Sequence, residues 1–146
     1  MYKKTNEVII KMLSKSENER FARVAVATFA SQIDMTIEEL SDIKTAISEA
    51  VTNSIVHGYE GTEGFVTLEC RLYGNILEVV VADNGKGIDD VDRARQPLYT
   101  SKPEQERSGM GFTVMETFMD SLEVKSMLGL GTKVSMKKIL SNHIKK

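Results

Sequence analysis

The chain has 146 residues, 41% hydrophobic and 27% charged, with a formal net charge of −2, which is typical of one globular domain with a proper core. A net charge so near zero gives no basic surface, so a nucleic-acid partner is disfavoured. No apolar run approaches the roughly 18 residues of a membrane span and the N-terminus lacks a signal-peptide core, so we expect a single cytoplasmic domain over residues 1–146.

The first predicted elements are an edge strand and an amphipathic helix. Residues 7–13 are short and β-prone, which indicates an edge strand. Ser16 and Glu19 have the spacing of a capping box, and they open a helix expected to run to about Ile33. Along its length lie Phe21, Val24, Ala25, Thr28, Phe29 and Gln32. Arg23 lies on the polar side, where a charge is solvated by default.

A long helix is predicted from Ile37 to Gly58. Thr36 and Glu39 fit a capping box at its start, and Gly58 is a typical stop. Residues three and four apart form an apolar stripe for packing on a core: Ile43, Ala46, Ile47, Ala50, Val51, Ser54 and Ile55.

Three polar residues, Glu49, Asn53 and His57, follow one another at four-residue steps on this helix and therefore point the same way. Polar residues on a helix usually form a solvated face. In the alternative interpretation, Asn53 binds a divalent cation through its amide oxygen and Glu49 accepts a proton or orients an attacking hydroxyl. Mg²⁺ suits such a site, because proteins supply only one or two of its ligands beside phosphates and waters. The helix alone leaves both interpretations open.

A hairpin follows the long helix. Residues 65–73 alternate between apolar and polar, Gly74-Asn75 predicts a tight turn, and the nearly continuous apolar run at 76–82 predicts a central strand. Cys70, the single cysteine, belongs to the apolar set. We predict a buried thiol in a reducing cytosol rather than a catalytic or metal-binding one.

The rest of the chain alternates short elements. They are a helical segment at 89–96, a polar loop at 97–108, a helix at 112–119 and a hairpin of strands at 122–126 and 132–138. Residues 139–146 are expected to form a frayed tail. Together the elements predict an α/β two-layer sandwich, with helices on one face of a mainly antiparallel mixed sheet.

Two glycine loops lie at element ends. Asp83, Gly85 and Gly87 follow the central strand, and Gly109 and Gly111 precede a helix. The second loop offers an anion the backbone N–H groups of a helix N-terminus. Asp83 has two readings: it accepts a hydrogen bond from an exocyclic amine such as that of adenine, or it only forms a turn.

Between the loops, Lys102 and Arg107 can add charge-assisted contacts to an anion. Other nucleotide-binding patterns do not occur in the sequence. It has no P-loop, no dinucleotide fingerprint, and no catalytic-loop or lysine motif of the eukaryotic protein kinases.

The ordered motifs resemble those of one ATPase family. They are Glu49-x-x-x-Asn53, Asp83-x-Gly85-x-Gly87, Gly109-x-Gly111 and Gly131-Thr132. This set is similar to the GHKL family, which holds the gyrase-type, Hsp90-type, histidine-kinase and MutL ATPases. The amino-acid sequence of residues 16–24, 42–59, 94–116 and 129–132 further resembles that of the anti-sigma serine kinases of sporulating bacteria within that family.

The resemblance implies the GHKL (Bergerat) ATP-binding fold and a role for each matched residue. Glu49 is implied as the general base, Asn53 as the Mg²⁺ ligand, Asp83 as the acceptor from the adenine amine, and residues 100–112 as a lid. Arg23 matches a partner-contacting arginine. The other implied ATP-binding positions are His57 (without a chemical role), Gly85, Gly87, Thr100, Ser101, Lys102, Arg107, Ser108, Gly109, Met110, Gly111, Phe112 and Thr132.

The function implied by the resemblance combines capture with catalysis. An ATP-loaded homodimer would bind and inhibit sigma factor F, and would phosphorylate a serine of the anti-anti-sigma factor that competes for it. No direct contact with nucleic acid or membrane is implied. Alternatives are an anti-sigma kinase of the general stress pathway, a non-catalytic ATP-gated binding module, and the detached catalytic domain of a histidine kinase. The last is disfavoured because the chain has no phosphoacceptor helix.

Overall fold

Five strands form one sheet in the computed structural model, which describes residues 3–96 and 111–141. They are β1 (Lys4–Leu13), β2 (Phe65–Tyr73), β3 (Ile76–Asp83), β4 (Ser121–Met127) and β5 (Gly131–Ile139). Their order is β1-β2-β3-β5-β4, and every pairing is antiparallel. The expected mainly antiparallel sheet is confirmed without a parallel pair among these strands, as are the edge position of β1 and the central position of β3.

Helices cover one face of this sheet, as predicted for a two-layer sandwich. They are α1 (Glu17–Ala30), α2 (Ile37–Asn53) with a π-helical turn at Ser54–Gly58, the short α3 (Val91–Ala94) and α4 (Gly111–Phe118). The long predicted helix is therefore confirmed in extent, but its last turn is wider than an α-helical one. The predicted polar loop at 97–108 lies outside the described residues.

The core lies between α2 and the inner face of the sheet. The predicted stripe on α2 is confirmed, with Ile43, Ala46 and Ile47 fully buried. Leu68 and Val79 meet it from the sheet, and a buried leucine or isoleucine contributes about 1.5–3 kcal/mol relative to an exposed one. The prediction of a buried Cys70 is also confirmed, and burial raises the pKa of this thiol to about 11.

The two predicted capping boxes have different outcomes. At α2 both bonds form: the Glu39 N–H donates to Thr36 Oγ1 (3.0 Å) and the Thr36 N–H donates to Glu39 Oε1 (2.9 Å). At α1 the prediction is wrong, because Ser16 already has helical dihedrals (φ −59°, ψ −30°) and its side chain makes no capping bond. Glu19 instead accepts a hydrogen bond from Ser48 Oγ on α2, at 2.6 Å.

Helix α1 packs with small residues and leaves large ones outside. Ala22, Val26 and Ala30 are fully buried, whereas Phe21 is 55% exposed and Val24 51% exposed. The helix ends at Ala30, three residues before the predicted end. The apolar face of α1 is therefore partly directed away from the core.

The beginning of the predicted frayed tail belongs to the folded structure. Leu140 is buried, its N–H donates to the Asn75 carbonyl (2.8 Å), and its carbonyl accepts from Asn75 Nδ2 (2.9 Å). Ser141 Oγ donates to Glu39 Oε2 at 2.8 Å. The expectation of fraying is wrong for residues 139–141, because these contacts involve segments far away in sequence; residues 142–146 lie outside the described ranges.

Candidate functional site

A cavity of about 290 Å³ opens where the end of α2, the ends of β3 and β5 and the start of α4 meet. Seven of the predicted site residues line it: Asn53, His57, Asp83, Gly87, Gly111, Phe112 and Thr132. These residues come from four separate stretches of the chain. The fold therefore brings the first glycine loop, the site helix and the Gly-Thr motif together around one space.

Asp83 is the buried carboxylate of this cavity, with 7% of its surface exposed. Its Oδ1 accepts a hydrogen bond from the Gly85 N–H at 2.9 Å, so the turn-forming interpretation is confirmed. That bond uses one of the two carboxylate oxygens. Within the described part of the chain, the other oxygen, Oδ2, makes no hydrogen bond and can accept one from a ligand. The turn therefore orients the carboxylate without excluding a binding role.

Glycines allow three backbone segments to meet beside Asp83. A Cβ at Gly85 would lie 2.1 Å from the Gly58 carbonyl oxygen, and one at Gly131 would lie 2.1 Å from the Asp83 carbonyl oxygen. A Cβ at Gly58 would lie 3.1 Å from the Asp83 carboxylate. Gly85 therefore serves close backbone packing, and it is not among the described residues that line the cavity.

The π-helical turn at the end of α2 takes part in this packing. The Tyr59 N–H donates to the Ser54 carbonyl, five residues earlier, at 3.2 Å. The Gly58 carbonyl accepts from the Lys86 N–H at 2.8 Å, which joins the helix end to the loop after β3. Such turns recur at functional sites.

Two hydroxyl groups that sequence reasoning missed hold the walls of the site. Ser126 Oγ accepts from the Ile88 N–H (2.7 Å), donates to the Gly131 carbonyl (2.9 Å) and lies 2.8 Å from Thr132 Oγ1. Because the Ser126 proton goes to Gly131, Thr132 donates to Ser126 and keeps its own oxygen as an acceptor.

The second is Tyr59, which links the start of β2 to the loop after β3. No local pattern marks Ser126 or Tyr59, since each also accepts a hydrogen bond from a backbone N–H far away in sequence, that of Ile88 or of Asn84.

The remaining predicted residues are distributed differently. Glu49 is half-buried one helical turn before Asn53, but it is not among the described residues lining the cavity. Arg23 is half-buried on α1, with its Nε 3.7 Å from Glu19 Oε2. The following predicted residues lie outside the described ranges: Thr100, Ser101, Lys102, Arg107, Ser108, Gly109 and Met110.

Two classes of feature were sought in the described ranges. No group of three or more histidine, cysteine, aspartate or glutamate side chains there could hold a metal ion. No helix among the described residues has the length and apolar character needed to cross a membrane.

Comparison with known proteins defines the class. Residues 13–138 match the model of the histidine kinase-like ATPase domain, so the chain belongs to the histidine kinase-like ATPase family. Within it, the chain is similar to the anti-sigma F factor of Clostridium kluyveri, at 61% identity over 137 residues, covering 94% of this chain and 96% of that protein. It is 56% identical over 138 residues to the anti-sigma F factor of Thermoanaerobacter sp. (strain X514), with the same coverage. The resemblance inferred from the motifs is confirmed.

Solved structures show the same fold. The RsbU and RsbW domains of a Mycobacterium tuberculosis protein match with a TM-score of 0.66 at 19% identity, over 93% of this chain and 32% of that one. Full-length ShkA in complex with AMPPNP matches with a TM-score of 0.60 at 13% identity, over 89% of this chain and 31% of that one. The chain thus spans about a third of the length of these solved chains. At these identities the likeness extends to the GHKL-type fold alone.

Proposed function

We propose that this protein is an anti-sigma factor that binds and inhibits sigma factor F, and an ATP- and Mg²⁺-dependent serine kinase that inactivates the cognate anti-anti-sigma factor. The observation that carries the proposal is the cavity that joins Asn53, Asp83 and Thr132. It occurs in a chain 61% identical over 94% of its length to an anti-sigma F factor.

The cavity fits an adenine nucleotide. Asp83 Oδ2 and the Thr132 oxygen are buried or half-buried acceptors, which suit an exocyclic amine and an ordered water. The close packing at Gly58, Gly85 and Gly131 gives this end of the site a rigid backbone wall. At the other end, the N-terminus of α4 begins at Gly111, where N–H groups and the helix dipole favour phosphate.

Asn53 fits a magnesium ion held mainly by phosphates. Its amide lines the cavity as a single hard oxygen donor, in keeping with the one or two protein ligands typical of Mg²⁺-nucleotide sites. When bound, the ion neutralises negative charge on the phosphates during transfer.

Glu49 would act as the base of the kinase. The serine oxygen attacks the γ-phosphorus, the bond to the β-phosphate oxygen breaks, ADP leaves, and the serine proton goes to Glu49. Glu49 and Asn53 share one side of α2 at one-turn spacing, so base and ligand have fixed relative positions. Phosphoryl transfer depends mainly on such positioning and on neutralisation of charge.

The exposed side of α1 supports a partner surface around Arg23. Phe21 and Val24 are both more than half exposed beside it. Large apolar side chains with an adjacent arginine are typical of the centre of a protein interface. We propose that this surface contacts the sigma factor and the anti-anti-sigma factor, with the protein acting as an ATP-loaded homodimer in the cytoplasm.

Labelled ATP, Mg²⁺ and the cognate anti-anti-sigma factor test the kinase. We expect phosphate transfer by the unmodified protein, and transfer slower by about 10²-fold or more in Glu49→Gln, with ATP binding retained. Glu38→Gln, an exposed glutamate on the same helix, is the matched control and should transfer at the unmodified rate.

Three results would change the proposal. Full transfer by Glu49→Gln would contradict its role as the base. ATP binding without any transfer by the unmodified protein would favour the ATP-gated binding module. Pull-down of a general-stress sigma factor in place of sigma factor F would assign the protein to that pathway.

A further inference from the structure

We propose that Tyr59 is a positioning residue that fixes the base-reading carboxylate Asp83 and thereby sets the preference for adenine. The inference rests on the proposed function, because it concerns how that nucleotide site selects its base. Tyr59 follows the π-helical turn and is 9% exposed.

The hydroxyl of Tyr59 connects two backbone segments. It donates to the Phe65 carbonyl at the start of β2 (2.5 Å) and accepts from the Asn84 N–H in the loop after β3 (3.0 Å). Both partners are backbone groups, and the ring itself is almost fully enclosed. A phenylalanine would fill the same space without joining these two segments, so the hydroxyl group is what links them.

The Asn84 contact belongs to a set of three consecutive N–H groups. The Asn84 N–H donates to Tyr59, the Gly85 N–H to Asp83 Oδ1 (2.9 Å), and the Lys86 N–H to the Gly58 carbonyl (2.8 Å). Only the first acceptor is a side chain from outside the loop. Tyr59 therefore holds the peptide directly after Asp83, and that peptide orients the Gly85 N–H that positions the carboxylate.

The ring of Tyr59 is itself held in place. A Cβ at Gly64 would lie 2.2 Å from the Tyr59 ring, so the ring packs directly on the backbone before β2. Gly64 is in turn bonded to Ser14, through Ser14 N–H to its carbonyl (2.9 Å) and its own N–H to Ser14 Oγ (3.0 Å). The hydroxyl therefore has a fixed position relative to the sheet rather than moving with the loop.

Selectivity for the base follows from a fixed carboxylate. A carboxylate held in one place accepts a hydrogen bond from the exocyclic amine of adenine and repels the carbonyl oxygen that guanine presents at that position. Loss of the Tyr59 hydroxyl removes the hydrogen-bond partner of two backbone groups, the Phe65 carbonyl and the Asn84 N–H, and loosens the loop. Affinity for ATP then falls, while the penalty against GTP is relaxed.

The test compares ATP and GTP binding in Tyr59→Phe, which keeps the ring. We expect ATP affinity to fall roughly 5- to 30-fold, the scale of one or two lost hydrogen bonds, and the ATP-to-GTP preference to fall at least about 5-fold. The kcat at saturating ATP should stay within about 2-fold of the unmodified protein, because Glu49 and Asn53 lie on α2. Tyr73→Phe, at the far end of β2, is the matched control and should change neither quantity.

The preference ratio distinguishes positioning from a purely structural role. Unfolded protein binds neither nucleotide, so a variant that is only less stable loses ATP and GTP binding equally and keeps the ratio. An unchanged ratio in Tyr59→Phe, with ATP binding by the unmodified protein, overturns this inference alone. Absence of ATP binding by the unmodified protein overturns the proposed function, and this inference with it.

Discussion

Gly58 lines the cavity and Gly85 packs against its carbonyl, but the two glycines tolerate a side chain differently. A Cβ at Gly85 would meet the rigid Gly58 carbonyl at 2.1 Å, whereas a Cβ at Gly58 would meet the Asp83 carboxylate at 3.1 Å. A backbone atom cannot move without breaking the bond from the Lys86 N–H to Gly58, but a carboxylate can shift by a few tenths of an ångström. A substitution at Gly85 should therefore mainly affect stability, and one at Gly58 should mainly affect ligand binding.

We predict that Gly85→Ala lowers the free energy of unfolding by about 1–3 kcal/mol, the usual cost of forced overpacking. Gly58→Ala should leave stability nearly unchanged and weaken ATP binding, because it displaces Asp83. Urea denaturation and nucleotide titration of both variants measure the two effects. Equal stability of Gly85→Ala and the unmodified protein would contradict the packing argument.

At this scale the sequence predicted residues that belong to local patterns. Asn53, Asp83 and Thr132 stand in motifs at element ends, and the structure brings all three to one cavity. Ser126 and Tyr59 could not be predicted, because a hydroxyl that bonds distant backbone atoms leaves no periodic signal. The sequence also does not indicate which carboxylate oxygen of Asp83 accepts the hydrogen bond of the turn.

At the scale of helices, one sequence pattern has two structural outcomes. Thr36-x-x-Glu39 forms both bonds of a capping box, whereas Ser16-x-x-Glu19 forms no side-chain cap. The difference arises from tertiary contacts: Glu19 is drawn toward Ser48 on α2, and Ser16 adopts helical dihedrals instead of the extended ones that a cap requires.

We predict that Thr36→Ala lowers the free energy of unfolding by about 1 kcal/mol, the typical value of an N-cap side chain. Ser16→Ala should change it by less than about 0.5 kcal/mol, as for an ordinary surface substitution. Chemical denaturation of the two variants provides the comparison. A loss in Ser16→Ala as large as that in Thr36→Ala would show that Ser16 caps α1 in solution.

Periodicity predicted the strands and α2 well because their apolar faces meet the core directly. The alternation at β2 and the stripe on α2 both correspond to buried residues. It failed in part for α1, where Phe21 and Val24 are exposed and the smaller Ala22, Val26 and Ala30 are buried instead. A pattern of apolar residues shows that a face is apolar, but not which surface covers it.

For the molecule as a whole, the residues directly after β5 are hydrogen-bonded to the start of α2. Glu39 accepts from Thr36 with one oxygen and from Ser141 with the other. Burial acts to raise the pKa of Glu39, but the hydrogen bonds from Thr36 and Ser141 outweigh it and lower the pKa below the usual 4.5. The contact between Ser141 and Glu39 could not be predicted, since no pattern in the sequence relates two positions so far apart.

We predict an acid-sensitive component of stability from Glu39. Because its pKa is lowered in the folded protein, the charged form contributes stability above pH 4.5, and this is lost as the pH falls through the folded-state pKa. The urea midpoint of the unmodified protein should thus fall more steeply below pH 4.5 than that of Glu39→Gln. The exposed neighbour Glu38 gives the control Glu38→Gln, whose profile should follow the unmodified protein; identical profiles for all three would contradict the prediction.

The depth of Cys70 in the sheet has a practical consequence for site-specific chemistry. With a pKa near 11, only about one in 10⁴ of these thiols is ionised at pH 7, and the sulfur is almost fully shielded. A maleimide dye should therefore not react with Cys70. A cysteine introduced at an exposed position such as Thr28 on α1 could carry a fluorophore or spin label in the otherwise native chain.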